Sequence, residues 1–206
     1  MTDKDEARVI DLNHTLTLKA QEAMRDIKRQ HKILIENSMA NRDAILRLYH
    51  ADLILLAAIS QDDLTSAIAS HLPEILDVAA ARLLVSPDSG FADLSHVSVI
   101  TAAELNKLTC DNGMFLGSLN TAQQAVCDIV NIAHPQSVAF VRLPEDLPGI
   151  TGAALLMLAG KETNSFTASH GTDLLEQLVM KIAVALLARP QTSPQPSTQP
   201  STQQKS

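Results

Sequence analysis

The first 72 residues contain neither proline nor glycine, the two residues that most often end helices. Pro73 is the first proline and Gly90 is the first glycine. Residues 7–59 are mostly good helix formers, so this segment is predicted to be one long helix or two helices in series. In any fold of this chain, the helical segment must therefore pack against another part of the chain or against a second chain.

Apolar residues recur along this segment at alternating intervals of three and four, which is the heptad spacing of a coiled coil. The row is polar at Gln30, Asn37 and Asn41, and polar residues in such a row fix register and strand number. A single helix over residues 7–59 extends roughly 80 Å at about 1.5 Å per residue, so it cannot bury this row against a small domain. We call the row the predicted seam: Ala20, Ala23, Ile27, Gln30, Leu34, Asn37, Asn41, Ala44, Leu48, Ala51, Leu55 and Ala58.

Two arrangements satisfy the predicted seam. A parallel dimeric coiled coil is the favoured one, and two shorter helices folded back on each other, with a break near residues 37–41, are the alternative. The domain organisation expected is a dimerisation helix over residues 1–59, a folded domain over 60–189, and a disordered tail over 190–206. The tail is predicted because its prolines lie among Ser, Thr and Gln, which cannot form a core.

The segment after the long helix mixes helix and strand signals. Ser60 and Asp63 have the spacing of a helix cap, and Pro73 is expected to kink or divide the helix that follows. Thr101 and Glu104 form a second capping pattern, and the final helix is expected to begin at Thr172 or Asp173. Strands are predicted at residues 80–85, 96–100, 114–117, 137–143 and 152–159. The fold class is therefore α+β, an antiparallel sheet with helices on one face, preceded by the long helix.

The amino-acid composition limits the classes of partner that this chain is expected to bind. Aromatic residues make up only 2% of the chain, which leaves little for stacking bases or sugars. The net charge is −7, and the one basic cluster, residues 25–32, is best explained as a solvated helix face, so nucleic acid is not an expected partner. No secretory leader and no apolar run of membrane length is apparent, so a cytoplasmic protein without membrane association is expected.

Several stretches resemble one bacterial family, named domain of unknown function 484, which is similar to GAF domains. They are FLGS at 115–118, SVAFVRL at 137–143, the run from Gly152 through Gly160 to Phe166, and GTDLL at 171–175. The resemblance covers residues 35–187. It implies a GAF-like sheet packed on a helix bundle, with terminal helices that dimerise. The chain departs from the family at residues 161–165, where a small basic-acidic motif is usual.

No catalytic constellation is visible, so we expect a protein that is not an enzyme and that carries no cofactor or metal. Cys110 and Cys127 have no obvious base near them in sequence and are expected to be core thiols, although an enzyme that uses a Cys thiol is a third hypothesis. Residues 170–173, His-Gly-Thr-Asp, are best explained as a turn and helix cap. The seven histidines show no metal-binding spacing.

Through its GAF likeness, the chain is expected to have a ligand site between the sheet and residues 101–131. The apolar residues of this segment could equally well form part of the hydrophobic core. The leading hypothesis is a homodimeric, GAF-like regulatory or adaptor protein with an unidentified protein partner, and the alternative is a sensor whose small-molecule ligand switches a partner interaction. The candidate pocket residues are Leu105, Leu108, Met114, Phe115, Leu116 and Val126.

Overall fold

The computed structural model describes residues 3–110, 112–132, 135–167 and 172–191, with side chains from Leu16 onward except that of residue 122. The predicted tail beyond residue 191 and residues 168–171 lie outside this part. The chain divides into two compact units, Met1–Leu46 and Arg47–Ser206. The predicted domain boundary after residue 59 lies within the second of these units.

The first unit contains the greater part of helix α1, Asp3–Ala57, which runs without a break through residues 37–41. The folded-back alternative is therefore wrong, and one long helix is confirmed. The helix ends at Ala57 because Ser60 caps the next helix, with its hydroxyl accepting a hydrogen bond from the backbone N–H of Asp63 at 3.1 Å.

The other helices are short until the last. Helices α2 (Gln61–Ser70) and α3 (Leu72–Leu76) are the two parts of the helix divided at Pro73. Helix α4 (Ala102–Leu108) begins with the predicted capping box of Thr101 and Glu104, and Asn120 caps α5 (Thr121–Ile129) in the same way. Helix α6 (Asp173–Ala188) has Thr172 at its N-cap position, but the Thr172 side chain makes no capping hydrogen bond.

Five strands form one sheet in the order β2-β1-β5-β4-β3. Their bounds are β1 Ala80–Val85, β2 Val97–Val99, β3 Met114–Gly117, β4 Ser137–Arg142 and β5 Ala154–Gly160. Strands β4 and β5 are antiparallel neighbours, as predicted. The α+β class is confirmed, but the expectation of a wholly antiparallel sheet is wrong because β1 and β2 pair in parallel, with Leu83 opposite Val97.

Helices cover both faces of the sheet, which corrects the prediction of helices on one face. One core lies between the sheet and the helices α2, α6 and the end of α1. A second core lies between the opposite face and the helices α4 and α5. Successive side chains of strand β5 point to opposite faces of the sheet and so contribute to the two cores alternately. Leu156 and Leu158 belong to the first core, and Leu155 and Met157 belong to the second.

Part of the predicted seam belongs to the first of these cores. Leu48, Ala51 and Leu55 are buried in the second unit, with at most 7% of their surface exposed. These three positions are therefore not available to pair with another chain, which corrects that part of the predicted seam. All three lie in the second unit, which begins at Arg47.

Candidate functional site

The six predicted pocket residues fall on opposite faces of the sheet. Leu105, Leu108 and Val126 are buried beneath α4 and α5, and Phe115 packs against the same core. Met114 and Leu116 alternate with Phe115 along β3 and contact the other core. The structure therefore brings four of the six together, and those four are packed as core side chains.

An open cleft of about 840 Å³ lies where β3 begins and β4 ends, and Met114 is the one predicted pocket residue that lines it. Its main cation, Arg142, is already bound within the chain. One guanidinium nitrogen lies 2.7 Å from the Glu145 carboxylate and the other lies 2.6 Å from the Asn106 side-chain oxygen. The cleft therefore offers a surface of mixed polarity, and Arg142, the one cation among the described residues that line it, is already paired.

The two thiols lie in different environments. Cys110 is exposed and lines this cleft, which corrects the expectation of a core thiol there. Cys127 is fully buried in α5, as expected. Burial, with a smaller contribution from the neighbouring Asp128 carboxylate, raises the pKa of the Cys127 thiol to about 11. Cys127 is therefore protonated at neutral pH and has the character of a core residue.

The other sequence candidates form no site among the residues that the structure describes. No three His, Cys, Asp or Glu side chains there come close enough together to hold a metal ion. His170 and Gly171 fall outside that part of the chain, so the candidate at 170–173 is seen only at Thr172 and Asp173. No helix of the described chain has the length and apolar character needed to cross a membrane.

An apolar surface on the second unit is formed by the last turns of α1 and by α6. Leu53 and Leu56 on α1 are 48% and 74% exposed, and Met180 and Val184 on α6 are 45% and 51% exposed. An open groove of about 700 Å³ runs between the two helices, with Leu56 and Val184 in its walls. We call these four residues and the groove the α1–α6 surface.

The walls of the groove are fixed by polar contacts between the two helices. The Arg189 guanidinium donates hydrogen bonds to the carbonyl oxygens of Leu55, Ala58 and Ala185 at 2.5, 2.6 and 2.9 Å. Lys181 forms an ion pair with Asp52 at 2.6 Å. Arg189 therefore satisfies carbonyls that the end of α1 leaves free, and it joins α1 to α6.

Sequence reasoning missed the α1–α6 surface, although one signal was present. The final helix carries apolar residues on its buried side at Leu178 and Ile182, and further apolar residues at Met180 and Val184, four residues apart. That second apolar pair, on a helix already predicted to bury its opposite side, indicates a surface available to a partner.

The first unit also exposes apolar side chains. Ile27 and Leu34, which belong to the predicted seam, are 62% and 63% exposed. All described side chains of residues 16–43 are exposed, and Ala44 is half-buried. Exposed large apolar side chains on a helix are unfavourable in water, so residues 20–44 are a candidate pairing surface.

Comparison with known proteins places the chain in a family without giving it an activity. A search of curated proteins finds no match. One family model, described as "Protein of unknown function, DUF484", matches residues 2–190. Since that match covers nearly the whole chain, the protein belongs to the DUF484 family.

Proposed function

We propose that this protein is a non-enzymatic, GAF-like regulatory or adaptor protein that dimerises through its helices. The observation that carries the proposal is the α1–α6 surface, where two joined helices present exposed Leu56, Met180 and Val184 around a groove. Leu53, in the last turns of α1, is exposed as well. Contiguous apolar surface of this kind is typical of protein interfaces.

A second copy of the chain is the occupant that fits this surface. It has both a protruding residue, Leu56 at 74% exposure, and the groove beside it. A twofold axis would place Leu56 of each copy against the groove of the other, so that the surface is complementary to itself. The result is a four-helix interface built from α1 and α6 of both copies.

The exposed part of the predicted seam, residues 20–44, supplies a further pairing surface in the first unit. In a parallel dimer, Asn37 and Asn41 of each copy face their own counterparts, where their amides can hydrogen-bond to each other. Polar residues of this kind favour one register over its alternatives. The helix would then carry the state of the folded domain to a partner protein.

The test compares glutamate variants of two exposed residues, Val184 at 51% and Ile129 at 61%, by sedimentation velocity at micromolar concentration. Val184→Glu places a charge in the α1–α6 surface and is expected to weaken dimerisation at least about tenfold. Ile129→Glu is the control, because Ile129 is 61% exposed on α5, beneath the opposite face of the sheet. Equal dimerisation of the two variants would contradict the proposed interface.

A small-molecule sensor is the second candidate function. The observation that favours it is a cation, Arg82, whose Nε atom is buried on the α4–α5 face of the sheet without a hydrogen-bond partner. Native mass spectrometry of the purified chain tests this candidate, since a ligand that survives purification adds a discrete mass. A purified protein that carries no ligand and binds none of a panel of small anions would contradict the sensor function.

A further inference from the structure

Arg82 lies in the middle of β1, on the sheet face that α4 and α5 cover. Side chains alternate along a strand, so Arg82 shares this face with Ala80 and Leu84, which belong to the second core. Strand registers place Arg82 opposite Met157, and Met157 opposite Phe140. Arg82 therefore begins a row that crosses the sheet, and the next two members of that row are fully buried apolar residues.

The charge of Arg82 has no partner in the described part of the chain. Its Nε atom is buried without a hydrogen bond, and no ion pair or hydrogen bond joins its guanidinium to another described residue. Arg142, which lies on the same face at the end of β4, is instead held by Glu145 and Asn106. A buried Nε–H donor without an acceptor is costly, and a ligand that supplies an acceptor would remove that cost.

We propose that Arg82 binds the carboxylate or phosphate group of a small anionic ligand held against the α4–α5 face of the sheet. A guanidinium presents planar, paired N–H donors that match the oxygens of either group. Met157 and Phe140 beside it are fully buried, so the anion would be bound at the half-buried Arg82 side chain and not among the core residues. This inference rests on the second candidate function and gives its ligand a chemical class.

The experiment measures thermal stability of the full chain in inorganic phosphate or in benzoate, each against sodium chloride of equal ionic strength. Wild type is expected to give a saturable rise in Tm with at least one of the two anions, and the anion that succeeds identifies the group bound. Arg82→Met is expected to weaken that anion's affinity about tenfold or more, because a charge-assisted hydrogen bond is lost. Its Tm without anion should rise, because a buried Nε–H donor without a hydrogen-bond partner is gone.

Arg142→Met is the matched control, since it removes the same charge from the same face at a position where the charge is already satisfied. It should keep the wild-type anion response, which separates Arg82 binding from the general stabilisation that phosphate gives many proteins. If Arg82→Met does not fold, Arg82→Gln replaces it. A wild type without a saturable response, or an Arg82 variant that responds as wild type does, would overturn the inference.

Sedimentation in the same buffers separates this inference from the dimer proposal. A dimeric wild type with no anion response overturns the Arg82 site and leaves dimerisation standing. A monomeric wild type that binds an anion through Arg82 overturns the dimer proposal and leaves the Arg82 site standing.

Discussion

At the scale of single residues, Gly160 shows how closely the end of β5 approaches its neighbours. A Cβ atom at Gly160 would lie 2.3 Å from the Ser137 hydroxyl oxygen and 2.7 Å from the Ser165 Cβ atom. The Ser137 hydroxyl cannot easily move aside, because it donates a 2.7 Å hydrogen bond to the Glu162 carbonyl and accepts one from the backbone of Phe166. The Gly–Phe part of the sequence resemblance therefore has a packing explanation.

Gly160→Ala is expected to lower the free energy of unfolding by about 2 kcal/mol, because the added methyl group overpacks this junction. Urea denaturation measures the change. Gly90→Ala is the control, since its Cβ would meet only the Thr151 hydroxyl oxygen, at 3.2 Å. A loss at Gly160 no greater than that at Gly90 would show that the junction adjusts freely.

The buried thiol gives a second prediction at this scale. Native protein treated with Ellman's reagent at pH 8 should react at Cys110 only, because Cys127 is buried and its pKa is raised to about 11. Both thiols should react after denaturation. Rapid reaction of Cys127 in the native protein would contradict the assignment and would restore the hypothesis of a thiol enzyme.

The same pKa determines a pH dependence with a definite sign. The unfolded thiol ionises near pH 9.0, whereas the folded thiol does so only near pH 11. Because the folded pKa is the higher one, this group's contribution to stability is complete below pH 9.0 and is lost as the pH rises toward 11. Cys127→Ala should therefore lose less stability than wild type across that interval.

At the scale of elements, the sequence was sufficient to predict where helices begin or break when a single capping residue or proline determines that position. The caps at Ser60 and Thr101 and the division at Pro73 follow from local backbone chemistry, and all three are present in the structure. The parallel pairing of β2 was missed because the path of residues 86–96 depends on distant contacts. One of these is the 3.0 Å hydrogen bond from the backbone N–H of Gly90 to the Thr151 hydroxyl.

The apolar sequence of β5 indicated that helices cover both faces of the sheet, and the prediction of helices on one face did not take it into account. All seven of its residues are buried, and a strand without polar alternation is typical of a sheet covered on both faces. The second helical layer could therefore have been predicted from the run of apolar residues at 154–159. The predicted pocket residues lie on two faces because Met114 and Leu116 alternate with Phe115 along β3.

Helix α1 gives the prediction at this scale. Leu34 and Met39 are 63% and 64% exposed, but only Leu34 lies in the predicted seam. Leu34→Glu is expected to weaken dimerisation at least about tenfold, because it buries a charge in a coiled-coil row, whereas Met39→Glu should leave it nearly unchanged. Sedimentation equilibrium compares the two variants. Stronger dissociation by Met39→Glu would assign the pairing to another face of α1.

At the scale of the whole molecule, the site was less predictable than the fold. The heptad spacing gave the position of the predicted seam but not which part of it the folded domain would bury. Leu48, Ala51 and Leu55 continue the seam in sequence, yet they pack into the first core. The α1–α6 surface exists because the domain covers one side of the end of α1 and leaves Leu53 and Leu56 on the other.

We propose that this chain functions as a homodimer, and the mass of the purified protein in solution is the first quantity to measure. Sedimentation velocity across the micromolar range should give a particle of twice the 22.2 kDa chain mass. Val184→Glu should move that particle toward the mass of one chain, and Ile129→Glu should not. A wild-type chain that stays monomeric throughout this range would contradict the account.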